Sequence, residues 1–192
     1  WFAHVPGLKV VMPSNATDAG SLLLAALDDP NPVLVLEHKL LYKQSFEVPD
    51  EFPPARLGEG RIEREGSDLT IVATSVEVQR SVQAAEQLAE QGISAEVIDP
   101  RTIKPLDVPL ILQSVSRTGR VLLVQEAPKF AGFMAEVAAT IAESEVFGDL
   151  QAPIRRLCGL DTPIPYCPTL EKASVPQVDD IVREAAALVG EW

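Results

Sequence analysis

The stretch "VLLVQEAPKFAGFMAEVAATI", residues 121–141, decides how this chain folds. It opens on an apolar run of strand length that ends in polar residues. A loop of small residues follows, and then Phe133, Val137 and Ile141 recur at helical spacing. Strand, loop and helix in that order form the repeat of α/β proteins, and the loop is where many of them hold phosphates or dinucleotides. A phosphate loop needs glycines, so that bare backbone N–H groups can approach the anion. "PKFAGFMAE" offers only Gly132, flanked by Phe130 and Phe133, and neither a dinucleotide fingerprint nor a P-loop occurs elsewhere. The stretch therefore reads as scaffold.

The same alternation extends on both sides. "DLTIVAT" (68–74) is a strand, and residues 77–91 carry Val78, Val82, Ala85, Leu88 and Ala89 on one helical face, with Gly92 as C-cap. "SAEVID" (94–99) is a strand. Asp107 heads a helix with Leu110, Ile111, Leu112 and Val115 that ends near Gly119. "RVLLVQ" (120–125) and the weaker "IRRLCG" (154–159) are strands, and residues 176–189 form a closing helix. This βαβαβαβα order predicts an α/β fold with a doubly wound, mainly parallel sheet.

Upstream, "LKVVMP" (8–13) is a strand stopped by Pro13. Ser14 or Asn15 caps a helix whose apolar stripe is Ala19, Leu22, Leu23, Ala26 and Leu27. Pro30 and Pro32 end that helix, and "PVLVLEH" (32–38) is a second buried strand. One β-α-β unit does not make a stable domain, so the rest of its sheet is expected upstream of Trp1. The apolar start "WFAHVPGLKVV" likewise predicts a piece of a longer protein. Residues 44–66 carry Pro49, Pro53, Pro54, Gly58 and Gly60 among charges, which is linker composition, with "GRIERE" as a short edge strand. "LDTPIPYCPTLEKASVP" (160–176) is Pro-rich and largely extended, with apolar contacts from Tyr166 and Leu170. It reads as an interface strap, with a plain surface crossover as the alternative.

A net charge of −12 argues against nucleic acid or an anionic membrane as partner and is compatible with docking a basic protein. No apolar run approaches the ~18 residues of a membrane span, and no signal peptide is visible. Cys158 and Cys167 are too few for a disulfide framework or a zinc site. His4 and His38 are the only histidines, and neither has a Cys or Ser partner at nucleophile spacing. Ser14 and Ser75 read as a cap and a loop residue. Glu126 and Glu136 have the chemistry of general acids, although a solvated or capping carboxylate is several times more common. No catalytic or cofactor-binding residue is assigned within the chain.

Six motifs, "FAHVPGLKVVMPS", "NPVLVLEHKLLY", "GSDLTIVATS", "VIDPRTIKPLD", "VQEAPKFAGFMAEVAATI" and "GLDTPIPYCPTLEKASVP", occur in an order that resembles the β subunit of the thiamine-diphosphate-dependent E1 component of 2-oxo acid dehydrogenase complexes, of pyruvate, branched-chain or acetoin type. The resemblance covers essentially the whole chain and corresponds to the C-terminal portion of that subunit. It implies three segments: residues 1–45 as the end of the pyrimidine-binding domain, 46–66 as linker, and 67–192 as the transketolase C-terminal domain. It also implies that the cofactor-activating glutamate and the catalytic histidine lie upstream of Trp1. The Gly-Asp-Gly motif for magnesium and diphosphate belongs to the α subunit. Neither His4 nor His38 inherits the catalytic role, and the chain alone is expected to be inert.

The resemblance further implies thiamine diphosphate and Mg2+ in the full enzyme and a structural potassium ion on oxygens of Ala26, Asp29 and Asn31. The partners it implies are an E1 α subunit and a second β subunit in an α2β2 heterotetramer, and the basic subunit-binding domain of the E2 acyltransferase. Charge places that last contact on Glu143, Glu145, Asp149 and the C-terminal carboxylate of Trp192. The implied location is a bacterial cytoplasm or the mitochondrial matrix. The family usually has "HEAP" before a Gly-Gly-Phe-Gly-Ala-Glu run. Here Gln125 stands for the His, Ala131 and Met134 for two glycines, and Pro100 for a common leucine, so the loop is expected to be bulkier and less polar. The alternatives are another transketolase-like enzyme, such as 1-deoxyxylulose-5-phosphate synthase, a non-catalytic protein-docking α/β module, or a nucleotide-binding domain.

Overall fold

The computed structural model describes residues 1–190. In chain order its elements are β1 (Lys9–Val11), α1 (Ala16–Asp28), β2 (Val33–Val35), β3 (Arg61–Arg64), β4 (Leu69–Ala73), α2 (Val76–Glu90), β5 (Ala95–Asp99), β6 (Thr102–Lys104), α3 (Val108–Thr118), β7 (Val121–Pro128), α4 (Phe133–Ala142), β8 (Arg155–Gly159), α5 (Pro168–Ser174) and α6 (Val178–Gly190). They form two compact units. The first holds Trp1–Arg61, Thr74–Val76 and Asp99–Asp107, and the second holds the remainder.

The second unit is built on β4. All five of its residues are buried, and the sheet order is β3-β5-β4-β7-β8. Ile71 pairs with Val97 of β5 on one side and Leu122 of β7 on the other, both parallel, and β8 pairs parallel with β7. Because side chains alternate along a strand, Leu69, Ile71, Ala73, Val97, Leu122 and Val124 share one face. That face is covered by Ala85 and Leu88 of α2 and by Ile181, Ala185 and Leu188 of α6. On the other face α3 packs on β4 and α4 on β7. Helices cover both faces, so the sheet is doubly wound and mainly parallel as expected.

Thr70 puts a hydroxyl into the α3 side of this core, where a lone polar group would cost free energy. It is satisfied by Ser114 at 2.6 Å and Thr118 at 2.8 Å. Ser114 in turn donates to the fully buried Glu96 carboxylate, which also accepts from the Arg117 guanidinium. That carboxylate holds the guanidinium pKa above its usual value.

In the first unit β1 pairs parallel with β2 and antiparallel with β6, giving the order β2-β1-β6. Strand β6 was not legible in "RTIKP", whose Pro105 and two charged residues mask it. Asn15, not Ser14, caps α1 by accepting from Asp18 N–H at 2.9 Å. Asp18 is 2% exposed and is held by Arg61 at 2.7 Å and Arg101 at 3.2 Å. Burial without those two cations would be costly, so they fix the start of α1.

Four expectations are corrected. Strand β2 is half-buried, not buried, because it is the edge of a three-stranded sheet. On α1 only Leu22 of the apolar stripe is buried; Leu23 is exposed and Leu27 is 74% exposed, since so narrow a sheet covers one row of the helix. On α4 the buried stripe is Met134, Val137 and Ile141, with Phe133 only partly covered. The segment 160–176 is not extended throughout. Pro168, whose fixed φ suits the first helical turn, opens the seven-residue α5.

Replacing Arg117 by Ala leaves Glu96 buried without its cation. Arg117 is half-exposed, so the cost falls below that of a fully buried pair, at about 2 kcal/mol in urea unfolding. A change under a few tenths would show that the ion pair is not structural.

Candidate functional site

Three places carry the residues singled out by sequence. The first is the turn after α1. An α-helix leaves its last carbonyls without intrahelical donors. Here the deficit is built into the sequence. The partner of the Ala26 carbonyl would be Pro30 and that of Asp28 would be Pro32, and neither proline has an N–H. Asn31 N–H, the partner position for Leu27, donates instead to Asp29 Oδ1 at 2.9 Å. Asn31 Nδ2 donates to the same oxygen at 3.1 Å. Asp29 Oδ2 accepts from Lys9 Nζ, and this bond holds the Asp29 carboxyl below the usual carboxylate range. Asp29 and Asn31 thus sit together at the helix end beside Ala26. The Asp29 carboxylate is committed to Lys9 and Asn31, so a cation here would draw on backbone carbonyls. Those of Ala26, Leu27 and Asp28 suit a hard cation in chemistry and lie at the negative end of the helix dipole.

The second place is the loop between β7 and α4. Gln125 is 3% exposed and lies in the second half of β7. Its Oε1 accepts from Met134 N–H at 2.8 Å, and its Nε2 donates to the Pro128 carbonyl at 2.9 Å. The N-cap of α4 is Gly132, which has no side chain to supply that acceptor, so Gln125 caps the helix from nine residues away. A Cβ on Gly132 would meet Gln125 Nε2 at 1.9 Å and the Pro128 oxygen at 2.5 Å. The glycine is needed for the glutamine, not for an anion. Met134 is in the helix and fully buried, so it does not enlarge the loop as expected. Ala131 takes the left-handed region at φ 53°, and Phe130 stands 84% exposed at the tip.

Sequence reasoning saw the loss of a histidine at 125 and missed the cap. The signal was present: a helix start on glycine, with no Ser, Thr, Asp or Asn to satisfy it. In the β7–β8 register Cys158 lies opposite Gln125. Burial pushes its thiol up, partly offset by Arg156 and Lys129.

The third place is the acidic turn that follows α4. Glu143 is the C-cap of α4, and the short 3-10 turn Glu145–Asp149 comes next. Glu143, Glu145 and Asp149 are all exposed, with Phe147 exposed among them, and Asp149 accepts from Ser116 Oγ. Trp192 lies outside the described residues. His38 accepts Leu40 N–H on Nδ1 at 3.2 Å, and His4 is exposed. No helix among the described residues is long and apolar enough to cross a membrane.

Comparison with known proteins gives this geometry its relatives. The family "Transketolase, C-terminal domain" matches residues 58–181, and "Transketolase, pyrimidine binding domain" matches residues 1–44. The chain is 49% identical over 96% of its length to the pyruvate dehydrogenase E1 component subunit beta-2, mitochondrial, of Oryza sativa, covering 50% of that protein. It is 44% identical over 98% of its length to the pyruvate dehydrogenase E1 component subunit beta of Rhizobium meliloti, covering 41%. It is also 42% identical over 99% to the acetoin:2,6-dichlorophenolindophenol oxidoreductase subunit beta of Bacillus subtilis, covering 55%. The chain spans about half the length of the curated relatives it matches. A solved structure, "Split gene transketolase, inactive beta4 tetramer", superposes with a TM-score of 0.80 at 23% identity, over 98% of this chain and 59% of that one, which shows the fold. The chain belongs to the transketolase C-terminal domain family and is a pyruvate dehydrogenase E1 beta-like protein with part of a pyrimidine-binding domain.

Replacing Gln125 by Ala removes the acceptor of a buried N–H and costs about 1–2 kcal/mol, with faster hydrogen exchange at Met134. Unchanged exchange there would overturn the capping role. In alkylation, exposed Cys167 labels first, and the Cys158 rate still rises above pH 9, the ordinary thiol value. Equal rates at neutral pH would contradict the burial of Cys158.

Proposed function

We propose that this chain is part of the β subunit of an E1 component that decarboxylates a 2-oxo acid on thiamine diphosphate and passes the acyl group to the lipoyl arm of E2. The supporting observation is the 44–49% identity to E1 beta subunits over nearly the whole chain. The chain's share is assembly and docking. Residues 1–45 close the pyrimidine-binding domain, 46–66 link, and 67–192 form the assembly domain. Partners are an α subunit and a second β subunit, in the bacterial cytoplasm or the mitochondrial matrix.

The loop after β7 does not fit a diphosphate. Its glycine, Gly132, is closed on Gln125. We place the cofactor's ligands in other parts of the enzyme. For the turn after α1 we propose potassium on oxygens of Ala26, Asp29 and Asn31, drawn from backbone carbonyls because the Asp29 carboxylate is held by Lys9 and Asn31. Glu143, Glu145 and Asp149, around Phe147, offer a basic E2 domain an acidic rim with an apolar centre.

The chain alone should show no thiamine-diphosphate-dependent decarboxylation but should be retained by an immobilised E1 α subunit. Turnover by the chain alone, or no retention, would reject the assignment. Its melting temperature should be higher in potassium chloride than in choline chloride, and Pro30→Ala, which restores an N–H to Ala26, should shrink that difference. Equal melting in both salts would remove the ion site. Reversing Glu143, Glu145 and Asp149 to lysine should weaken binding of a basic E2 domain at low salt more than at 0.5 M salt, where screening is strong at ~4–5 Å.

A further inference from the structure

Residues 45–57 have linker composition and form neither helix nor strand, yet their path in the first unit is defined. On the far side Gly58 N–H donates to Thr102 Oγ1 at 3.2 Å and Gly60 N–H to Asp107 Oδ2 at 2.9 Å. Arg101 Nε–H donates to the Glu59 carbonyl between them at 3.0 Å. On the near side Gln44 N–H closes a turn on the Leu41 carbonyl at 3.1 Å. Between these pinned ends the ring of Phe52 lies against Gly20 of α1. A Cβ on Gly20 would come within 3.0 Å of three ring carbons, so the ring occupies the space where any other residue places its side chain. Gly20 stands inside the helix, and no positive φ requires a glycine there. A mid-helix glycine weakens a helix relative to alanine, and the close approach of the ring is what the position gains. Helical spacing sets Gly20 in a row with Leu23, Leu24 and Leu27, all three exposed.

We infer that residues 45–57 are a strap and not a spacer, closed over α1 by the Phe52 ring seated in the Gly20 notch. Phe52 is 42% exposed even when seated, so part of one ring holds the strap, and its opening belongs among the low-energy local openings of a fold. Opening frees the strap between its pinned ends and bares the notch, the point in the row where another backbone can approach α1 closely. Closed, the strap withholds that point from anything packing along the leucines. The device is independent of the E1 β assignment, which stands or falls by retention on the α subunit.

The test begins on the unaltered chain, where nuclear Overhauser effects should connect the Phe52 ring protons with the Gly20 α protons. Gly20→Ala puts a methyl group in the seat of the ring. It should speed cleavage by glutamyl endopeptidase after Glu47 and Glu51 about tenfold, with cleavage after Glu86 in α2 unchanged. Phe52→Ala should do the same after Glu47. Alanine ordinarily strengthens a helix interior, so Gly20→Ala should raise the melting temperature more in the Phe52→Ala background, where no ring is displaced, than in the unaltered chain. Missing ring-to-Gly20 effects, unchanged cleavage after Glu51 in Gly20→Ala, or equal melting gains in the two backgrounds would each overturn the clasp. The first of these measurements needs no variant to fold.

Discussion

Strand β4 constrains the second unit. It lies in the middle of five strands with parallel neighbours on both sides, so neither face reaches water and every side chain along it must be satisfied from above or below. Leucine, isoleucine and alanine on one face meet that demand by packing against α2 and α6. Thr70 on the other face cannot, and its hydroxyl needs Ser114, Thr118, Glu96 and Arg117 arranged behind it. The position of α3 follows, because Ser114 lies one turn before Arg117 and Thr118 on that helix. One polar residue on the central strand thus fixes the register of a helix, which apolar contacts alone specify less sharply.

The first unit shows the opposite condition. Its three strands leave β2 with an unpaired edge and α1 with Leu23, Leu24 and Leu27 exposed. Fully burying one leucine contributes about 1.5–3 kcal/mol, so covering these partly exposed side chains would add several kcal/mol, a sizeable fraction of a domain's net ~5–15 kcal/mol. The unit nevertheless has a defined internal frame, because Asp18 holds Arg61 and Arg101 and so ties the start of α1 to residues far along the chain. A unit with a firm polar frame and an uncovered apolar row is suited to receive a further layer. That matches a chain spanning half the length of its relatives.

What was legible in the sequence was whatever depends on periodicity. The strands β4, β5 and β7 read as apolar runs, α2 and α3 as stripes, and Gly92 and Gly119 as stops, and these positive-φ glycines do end their helices. Strand β6 was hidden because three residues of antiparallel pairing leave no period to detect, and α5 because two prolines nearby suggested extension. Pairing of distant polar groups was also hidden. Gln125 and Met134 are nine residues apart, and Asp18 and Arg101 are eighty-three. No local rule connects them. At the turn after α1 the structure shows a pairing the sequence did not reveal, Asn31 N–H diverted to Asp29 between two prolines.

That turn shows how a helix end is left short of donors. A helix end normally satisfies its last carbonyls through a glycine turn or through water. Pro30 and Pro32 cannot donate, and Asp29 draws the remaining N–H of Asn31 to its own carboxylate. Lys9 neutralises that carboxylate, so the turn is not strongly acidic and would not attract a highly charged divalent ion. A set of neutral carbonyls with their charge balanced nearby favours a large monovalent cation, whose hydration is weak enough to surrender. The selectivity proposed for this turn therefore rests as much on Lys9, which touches no ion, as on the carbonyls that would.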